Sequence, residues 1–487
     1  MKEGGETWEV LCGPCSSHVE GDIRLRLKFS LKPTGSRRSI PRADSRRTES
    51  RNLSIYEDAE VGKRDEELRC SRLTIYRRGR NIMETKRGQN AWAQPNIGEY
   101  TVICDHYTDF PPEKRIFDKS DAPSLIKTAD GALLCAVPMH FVGSAGEGVP
   151  NLEFHRSYDG GVNWTKLPVG SHFCAGTLFR NGSDLYFLGT GPGEREENCV
   201  GVRIIRSSDE GVNWTDPVDL FTDQAPTYQP STGYVVRDRR LYWCFVRGWN
   251  KRDSERTTYV IAGDLSRDLT DPDAWRMSNG VEDPGVPPSL SVGNEEFAGR
   301  KTNWLEGNVV DVKGKLRVCW RYHIDLFSTV GISAICDFED DGVKLNYKFT
   351  QFYPIPGAQN HFHIIHDSVS GLFWMTSNPI RYSQDSHIAA QLKQNPRYTG
   401  NPGNERRILA LFCSFDSLNW LPAGYVIVWP LVRQASNYCG LLIDDNDLLI
   451  VARTSRNGRD QHDNDLTTFH RIRNFRDRAA FLPATEE

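Results

Sequence analysis

From about residue 99 onward, the chain alternates between short apolar runs and clusters of Gly, Asp, Asn and Pro. Runs of four to six apolar residues bounded by such turn residues are typical of β-strands. No segment with helical periodicity and useful length competes with them. The pattern therefore predicts an all-β fold, with strand cores at 132–137, 185–188, 241–246, 316–320, 372–375, 408–413 and 448–452.

One motif, S-x-D-x-G-x-x-W, occurs at 157–164 and again at 207–214, a spacing of 50 residues. Ser and Asp side chains hydrogen-bond nearby backbone amides, Gly adopts a backbone angle closed to other residues, and Trp packs back over the turn. Weaker copies occur at Ser414 with Trp420 and at Ser266 with Trp275. A turn repeated at this spacing predicts a β-propeller, and the series fits six blades.

Charge is distributed unevenly along the chain. Residues 1–98 carry 20 Lys and Arg against 14 Asp and Glu, whereas residues 99–487 carry 40 against 50. The stretch 36–51 has too few apolar residues to offset the loss of chain entropy on folding. We therefore predict a disordered basic segment over 1–98, a propeller over 99–480 and a tail over 481–487. The acidic body argues against nucleic acid as a partner.

Targeting and covalent cross-links add few constraints. The sequence has no run of 18 apolar residues and no apolar stretch at its amino terminus, so it predicts neither a membrane span nor a signal peptide, and the compartment stays open. Nine of the twelve cysteines follow residue 98 and are scattered among the predicted strands. We expect them to be buried thiols rather than a disulfide framework.

The repeated turns resemble the Asp-boxes of the sialidase superfamily, which also occur in propellers that have no glycosidase activity. The resemblance implies a six-bladed propeller with a retaining exo-glycosidase site. In that family a Tyr partnered by a Glu is the nucleophile, because a carboxylate would be repelled by the carboxylate of the sugar. Three arginines clamp the substrate carboxylate, and a carboxylic acid protonates the leaving oxygen.

The resemblance extends to particular positions. The family's Glu, followed by a hairpin and an Arg, is similar to Glu306 and Arg321, fifteen residues apart. Its third Arg matches Arg407, with Arg406 as the second choice, and its nucleophile matches Tyr438. We expect Glu306 to act as the base for Tyr438, and the arginines to bind substrate.

Two positions depart from the family pattern. Asp121 stands where the family has the first arginine of the clamp, and a carboxylate there would repel an acidic sugar. Glu147, in a Gly-rich loop ten residues before Ser157, is our candidate for the general acid. A solvated loop glutamate is the simpler alternative for this residue.

Two histidine clusters lie outside the family pattern. His361 and His363 alternate along one predicted strand, but spacing alone supplies no third ligand, so we predict no metal and no cofactor. His462 and Asp463 follow the last strong strand, where ring closure would bring them near the first blade. We expect this pair to contact substrate.

The function predicted from these residues is hydrolysis of a terminal acidic or modified sugar from a glycan or glycoconjugate. The alternative belongs to another class, a non-catalytic propeller that binds glycan or protein through the same mouth. The Asp at position 121 and the uncertain acid favour that alternative.

Overall fold

The structure is a computed structural model of the 487-residue chain. Two units are distinguished, residues 1–92 and 93–487. In the first unit, strands β1 (Thr7–Leu11) and β2 (Arg24–Lys28) form an antiparallel pair. The other residues of 1–97, which belong to the segment predicted to be disordered, lie outside the described residues. The described residues are 7–11, 24–28, 98–106, 117–141, 151–192, 199–221, 225–248, 256–290, 303–323, 331–379, 406–431, 433–458 and 461–479.

The second unit is a six-bladed β-propeller, which confirms the predicted fold. Each blade is one antiparallel sheet whose strands follow one another in sequence, except for the last strand of blade 6. Blade 1 comprises β4 (Phe117–Ser120), β5 (Ser124–Lys127), β6 (Leu133–Phe141), β7 (Leu152–Ser157) and β8 (Thr165–Ser171). Blade 2 comprises β9 (Ala175–Asn181), β10 (Asp184–Pro192), β11 (Cys199–Ser207) and β12 (Val218–Asp219). Blade 3 comprises β13 (Thr227–Tyr228), β14 (Val235–Arg237), β15 (Arg240–Arg247), β16 (Thr257–Asp264), β17 (Trp275–Met277) and β18 (Val281–Glu282).

The remaining three blades have four strands each. Blade 4 comprises β19 (Trp304–Val312), β20 (Lys315–Tyr322), β21 (Ile332–Asp340) and β22 (Leu345–Pro354). Blade 5 comprises β23 (His363–Asp367), β24 (Leu372–Ser377), β25 (Ile408–Ser414) and β26 (Leu421–Val428). Blade 6 comprises β27 (Ala435–Asp444), β28 (Asp447–Ser455), β29 (Leu466–Ile472) and β3 (Thr101–Asp105). Short 3-10 helices are described at Pro272–Ala274, Pro288–Leu290 and Phe475–Ala479.

The ring closes through β3, the first strand of the propeller, which pairs with β29 as the outermost strand of blade 6. Strands β5, β9, β14, β19, β23 and β27, one from each blade, surround the axis and line a cavity of about 730 Å³. Each blade contributes at least one apolar side chain to its wall: Leu125, Leu178, Val235, Val309, Ile364 and Leu441.

Packing between blades follows the two-residue period of the strands. On β24, Leu372 and Trp374 belong to the apolar cluster shared with blade 6, while Phe373 and Met375 belong to the cluster shared with blade 4. Comparable clusters occupy the other blade interfaces. A central strand buried on both faces reads as a continuous apolar run, which is the pattern seen in the sequence.

The repeated motif forms the turn that joins β7 to β8 in blade 1, β11 to β12 in blade 2 and β25 to β26 in blade 5. At the first copy, the Gly161 amide donates to Ser157 Oγ at 2.8 Å, and the Asn163 amide donates to Asp159 Oδ1 at 2.9 Å. The indole nitrogen of Trp164 donates to the Gly161 carbonyl at 3.0 Å. Hydrogen bonds of the same kind hold the Asp side chain in the turns at 207–214 and 414–420.

The weak copy near Ser266 is held differently. Ser266 Oγ donates to Asp264 Oδ1 at 2.6 Å, and Asp268 accepts from Thr270, so the Ser and Asp of this copy do not bond to one another as they do at 157. The turn nevertheless joins β16 to β17, the equivalent position in blade 3. The position of this weak copy in the series of repeats therefore marked the correct turn of blade 3, although its hydrogen bonds differ from those at 157–164.

Gly161 is the point where the first turn touches blade 6. Its φ is +94°, and a Cβ built there would lie 2.3 Å from the Phe469 ring. At Gly131, φ is similar at +85°, but no atom lies within 4 Å. We expect Gly161→Ala to lower the free energy of unfolding by about 1–3 kcal/mol more than Gly131→Ala, because both strain the backbone but only the first overpacks the closing interface. Chemical denaturation of both variants measures the difference, and equal losses would contradict it.

The nine cysteines of the propeller are buried and form no disulfide, as the sequence predicted. Among the described residues, no helix is long and apolar enough to cross a membrane.

Candidate functional site

Tyr438, Glu306 and Arg321 meet at one end of the propeller axis. The Tyr438 hydroxyl donates to Glu306 Oε1 at 2.9 Å. Arg321 Nη1 donates to both Glu306 oxygens, at 2.7 and 2.8 Å, and to Tyr438 Oη at 2.9 Å. The three side chains come from blades 6, 4 and 4 and are all buried. The phenol thus faces a proton acceptor and a cation at the same time.

Local breaks in strand pairing place two of these residues. In β19, Leu305 pairs with Arg321 and Gly307 with Trp320, so Glu306 is an extra residue in a β-bulge. In β27 the register shifts between Asn437 and Gly440, around Tyr438. The bulges turn both side chains away from the regular alternation of their strands.

Both bulge residues have backbone angles that favour glycine, with φ of +48° at Glu306 and +49° at Tyr438. Such conformations cost of order 1–3 kcal/mol for a residue with a side chain, and they concentrate at functional sites. A nearby glycine accompanies each: a Cβ at Gly307 would lie 2.7 Å from Cys244 Sγ, and one at Gly440 would lie 2.4 Å from the Pro123 carbonyl. The neighbouring blades therefore hold both bulges in place.

The segment just before β23 supports the site from blade 5. The Gln359 carbonyl accepts from Arg321 Nε at 2.8 Å, and Asn360 Oδ1 accepts from Arg406 Nε at 3.3 Å. The His361 ring stacks on the Tyr438 ring with centroids 4.8 Å apart. Burial lowers the pKa of His361 to about 4, so this ring is neutral at pH 7.

Two further guanidinium groups flank the phenol. Arg406 Cζ lies 5.5 Å and Arg453 Cζ lies 4.8 Å from the centroid of the Tyr438 ring. Both side chains are buried, and burial lowers the pKa of Arg406. Among the described residues, Arg406 Nη1 and Arg453 Nε have no hydrogen-bond partner. Arg407 is buried as well, but the guanidinium over the ring belongs to Arg406.

Asp121 lies at the blade 1 side of the site, and both of its carboxylate oxygens have hydrogen-bond partners. Tyr228 Oη lies 3.1 and 3.0 Å from its two oxygens, His140 Nε2 lies 3.2 Å from Oδ2, and the Ala122 amide donates to Oδ1 at 2.6 Å. Burial alone would raise the pKa of Asp121, but the hydrogen bond from His140 and the charge of Arg453 hold it below its usual value. The carboxylate is therefore ionised, with hydrogen-bond donors on both oxygens.

His462 and Asp463 lie at the rim, beside the Tyr438 ring. His462 Nδ1 lies 2.7 Å from Asp463 Oδ1, and Lys119 Nζ donates to the same oxygen at 3.2 Å. The imidazole meets the Tyr438 ring edge-on at 6.3 Å between centroids. Its side chain is 40% exposed, unlike the buried groups around it, so it borders both the phenol and solvent.

His363 does not join His361 in a ligand set. Its Nδ1 lies 2.9 Å from the Cys439 carbonyl, while His361 Nε2 lies 3.0 Å from the Ser231 carbonyl. In the described part of the chain, no group of three His, Cys, Asp or Glu residues is arranged to hold a metal ion.

The chemical capacity of the site centres on the Tyr438 proton. Burial raises the pKa of the Tyr438 hydroxyl, the Glu306 carboxylate acts in the same direction, and Arg321, Arg406 and Arg453 oppose them. The resting residue is a neutral phenol. Attack on an electrophile can proceed as the proton passes to Glu306, while Arg321 stabilises the negative charge on the phenolic oxygen.

The structure brings together most of the residues singled out in the sequence. Glu306, Arg321, Arg406 and Tyr438 are clustered, whereas Glu147 lies outside the described residues and its role as acid stays a prediction. Sequence reasoning missed Arg453 in this cluster. It also missed the supporting role of 359–361, although a polar Gln-Asn-His run before a buried strand was a usable signal.

No family model and no curated protein sequence matches the chain. Similar solved structures include an α-L-arabinanase from Penicillium chrysogenum, at 12% identity and a TM-score of 0.45, covering 77% of this chain and 97% of that one. An α-L-arabinofuranosidase from Fusarium graminearum has 10% identity and a TM-score of 0.47, and the match covers 78% of this chain and 98% of that one. A Trypanosoma rangeli sialidase mutant displaying trans-sialidase activity has 12% identity and a TM-score of 0.47, and the match covers 79% of this chain and 59% of that one. The assignment of the fold rests on the strand pairing described above.

Proposed function

We propose that this propeller is a retaining exo-glycosidase that removes a terminal acidic sugar from a glycan, with Tyr438 as the nucleophile. The contact of Tyr438 Oη with Glu306 Oε1 at 2.9 Å and with Arg321 Nη1 at 2.9 Å carries the proposal. A buried phenol placed between a carboxylate and a guanidinium has both the base and the charge stabilisation that a tyrosine nucleophile needs.

In the first step, the Tyr438 oxygen bonds to the anomeric carbon as its proton passes to Glu306 and the glycosidic C–O bond breaks. The leaving oxygen takes a proton from the general acid, for which Glu147 is the candidate. Water then attacks the anomeric carbon of the glycosyl-tyrosine and gives its proton to the deprotonated general acid. The bond from that carbon to the Tyr438 oxygen breaks, and the proton on Glu306 returns to Tyr438. Two displacements give net retention.

The charge around the phenol supports an acidic substrate. Arg406 is buried with one amino group unpartnered among the described residues, and such a group is costly unless an anion arrives to pair with it. We therefore place Arg406 ahead of Arg407 as the match to the third arginine of the clamp. The repulsion expected from Asp121 is weakened because Tyr228, His140 and the Ala122 amide already bind its oxygens.

The test is release of a fluorescent aglycone from aryl glycosides by the full chain. We expect turnover of at least one acidic glycoside, with the product formed first in the substrate's anomeric configuration by NMR. Saturable binding of the same glycosides without release would support the non-catalytic propeller instead. That alternative is favoured by the Asp at position 121.

A further inference from the structure

We propose that Arg453, from blade 6, binds the substrate's carboxylate in the place of the cation that blade 1 lacks at Asp121. The inference rests on the proposed function, because it names the specificity determinant of the same site. It concerns a residue on the second strand of a blade, where no sequence pattern suggested a ligand-binding group.

Arg453 lies next to the bulge that carries the nucleophile. Arg453 on β28 pairs directly with Asn437 on β27, immediately before the bulge that carries Tyr438. Its guanidinium therefore reaches the phenol from within the same blade, with Cζ 4.8 Å from the ring centroid. Blade 6 adjoins blade 1, and against the effect of burial the charge of Arg453 adds to the hydrogen bond and the charge of His140 in lowering the pKa of Asp121.

Among the described residues, the ion pairs around Arg453 leave positive charge in excess. Arg453 Nη2 lies 3.8 Å from Asp463 Oδ1, and the same oxygen also accepts from Lys119 and lies against His462. The Asp463 carboxylate is thus shared between Arg453 and Lys119. Arg453 also donates to the His462 carbonyl, while its Nε is buried with no partner in the described part of the chain.

The formal charges close to Tyr438 favour an anionic substrate. In the part of the site that the structure describes, the cations Arg321, Arg406, Arg453 and Lys119 lie close to the carboxylates of Glu306, Asp121 and Asp463. The Glu306 carboxylate accepts hydrogen bonds from Arg321. The Asp121 carboxylate contacts His140 and Tyr228. A bound carboxylate would neutralise the excess and pair with the two guanidinium groups that flank the phenol.

The experiment compares Arg453→Gln, Arg453→Lys and the unchanged full chain on an aryl glycoside of an acidic sugar and on its methyl ester. We expect Arg453→Gln to raise KM for the acid about 10- to 100-fold, as for loss of a charge-assisted hydrogen bond, with little change for the ester. Arg453→Lys should recover part of the loss. Arg471→Gln on β29, whose guanidinium pairs with Asp447, is the matched control and should change neither.

Calorimetric binding of the same two compounds to Tyr438→Phe, with and without Arg453→Gln, separates this inference from the hydrolase proposal. If nothing is hydrolysed but the preference for acid over ester depends on Arg453, the function fails and the inference stands. An unchanged acid-to-ester ratio in folded Arg453→Gln overturns the inference. Folding should survive this change because Asp463 keeps Lys119 and His462 as partners.

Discussion

Replacing Tyr438 by Phe is expected to lower kcat on a reactive acidic aryl glycoside by at least about 10³-fold while leaving the fold intact. The change removes one oxygen from a buried ring. The Glu306 carboxylate keeps both hydrogen bonds from Arg321, so the free energy of unfolding should fall by only about 1 kcal/mol. Initial-rate kinetics and thermal melting measure the two effects separately.

The control for Tyr438→Phe is Tyr158→Phe, at a phenol that is 73% exposed in the first repeated turn. We expect wild-type rates from this variant. Covalent capture supplies a second readout, since a slow-turnover substrate should add its glycosyl mass to wild-type protein and not to Tyr438→Phe. Undiminished hydrolysis by folded Tyr438→Phe would falsify the nucleophile assignment.

Replacing Arg321 by Met is expected to destabilise the protein by about 3–5 kcal/mol, since it leaves the buried Glu306 carboxylate without its cation. Side-chain exposure is only 4% for Arg321 and 1% for Glu306, so solvent does little to screen the remaining charge. Turnover should also be lost, because the phenolic oxygen loses the donor that stabilises its negative charge. Denaturant titration measures the stability change.

A double variant separates charge from packing. Adding Glu306→Gln to Arg321→Met removes the orphaned charge, so we expect it to recover at least half of the lost stability without recovering activity. Arg237→Met breaks a half-exposed ion pair with Asp311 and should cost at most about 1 kcal/mol. Equal losses in the free energy of unfolding for Arg321→Met and Arg237→Met would show that the buried pair of Arg321 and Glu306 contributes no more to stability than a partly exposed pair.

The fold was predictable because it depends on local signals. Alternation between apolar runs and turn residues marks strands, and the S-x-D-x-G-x-x-W turn recurs at one position of the blade. The weak copy at Ser266 still marked the correct turn, since spacing survives changes in the hydrogen bonds. The resemblance also singled out Glu306, Arg321 and Tyr438 by their order and separation, and the structure places these three side chains in contact, while their roles stay predictions.

The contacts that Arg453 and His361 make with the Tyr438 ring could not be predicted in the same way. Their nearness to Tyr438 depends on ring closure and on the bulge around Tyr438, which changes the register of β27 against β28. A strand read by simple alternation puts a residue on the wrong face once a bulge intervenes. Positive φ at Glu306 and Tyr438 leaves little trace in sequence beyond the glycines at 307 and 440.

The closing strand has a consequence for biosynthesis. The outer strand of blade 6, β3, is made before every other strand of the propeller, while its partner β29 is made last. Pairing over so long a separation cannot begin until the whole ring has left the ribosome, and it is intrinsically slow. The blade that carries Tyr438 is therefore the last to be completed. A nascent or truncated chain that ends before β29 already contains Glu306, Arg321 and Tyr438, but its sixth blade lacks the strand that pairs with β3, so the ring that holds the site stays open.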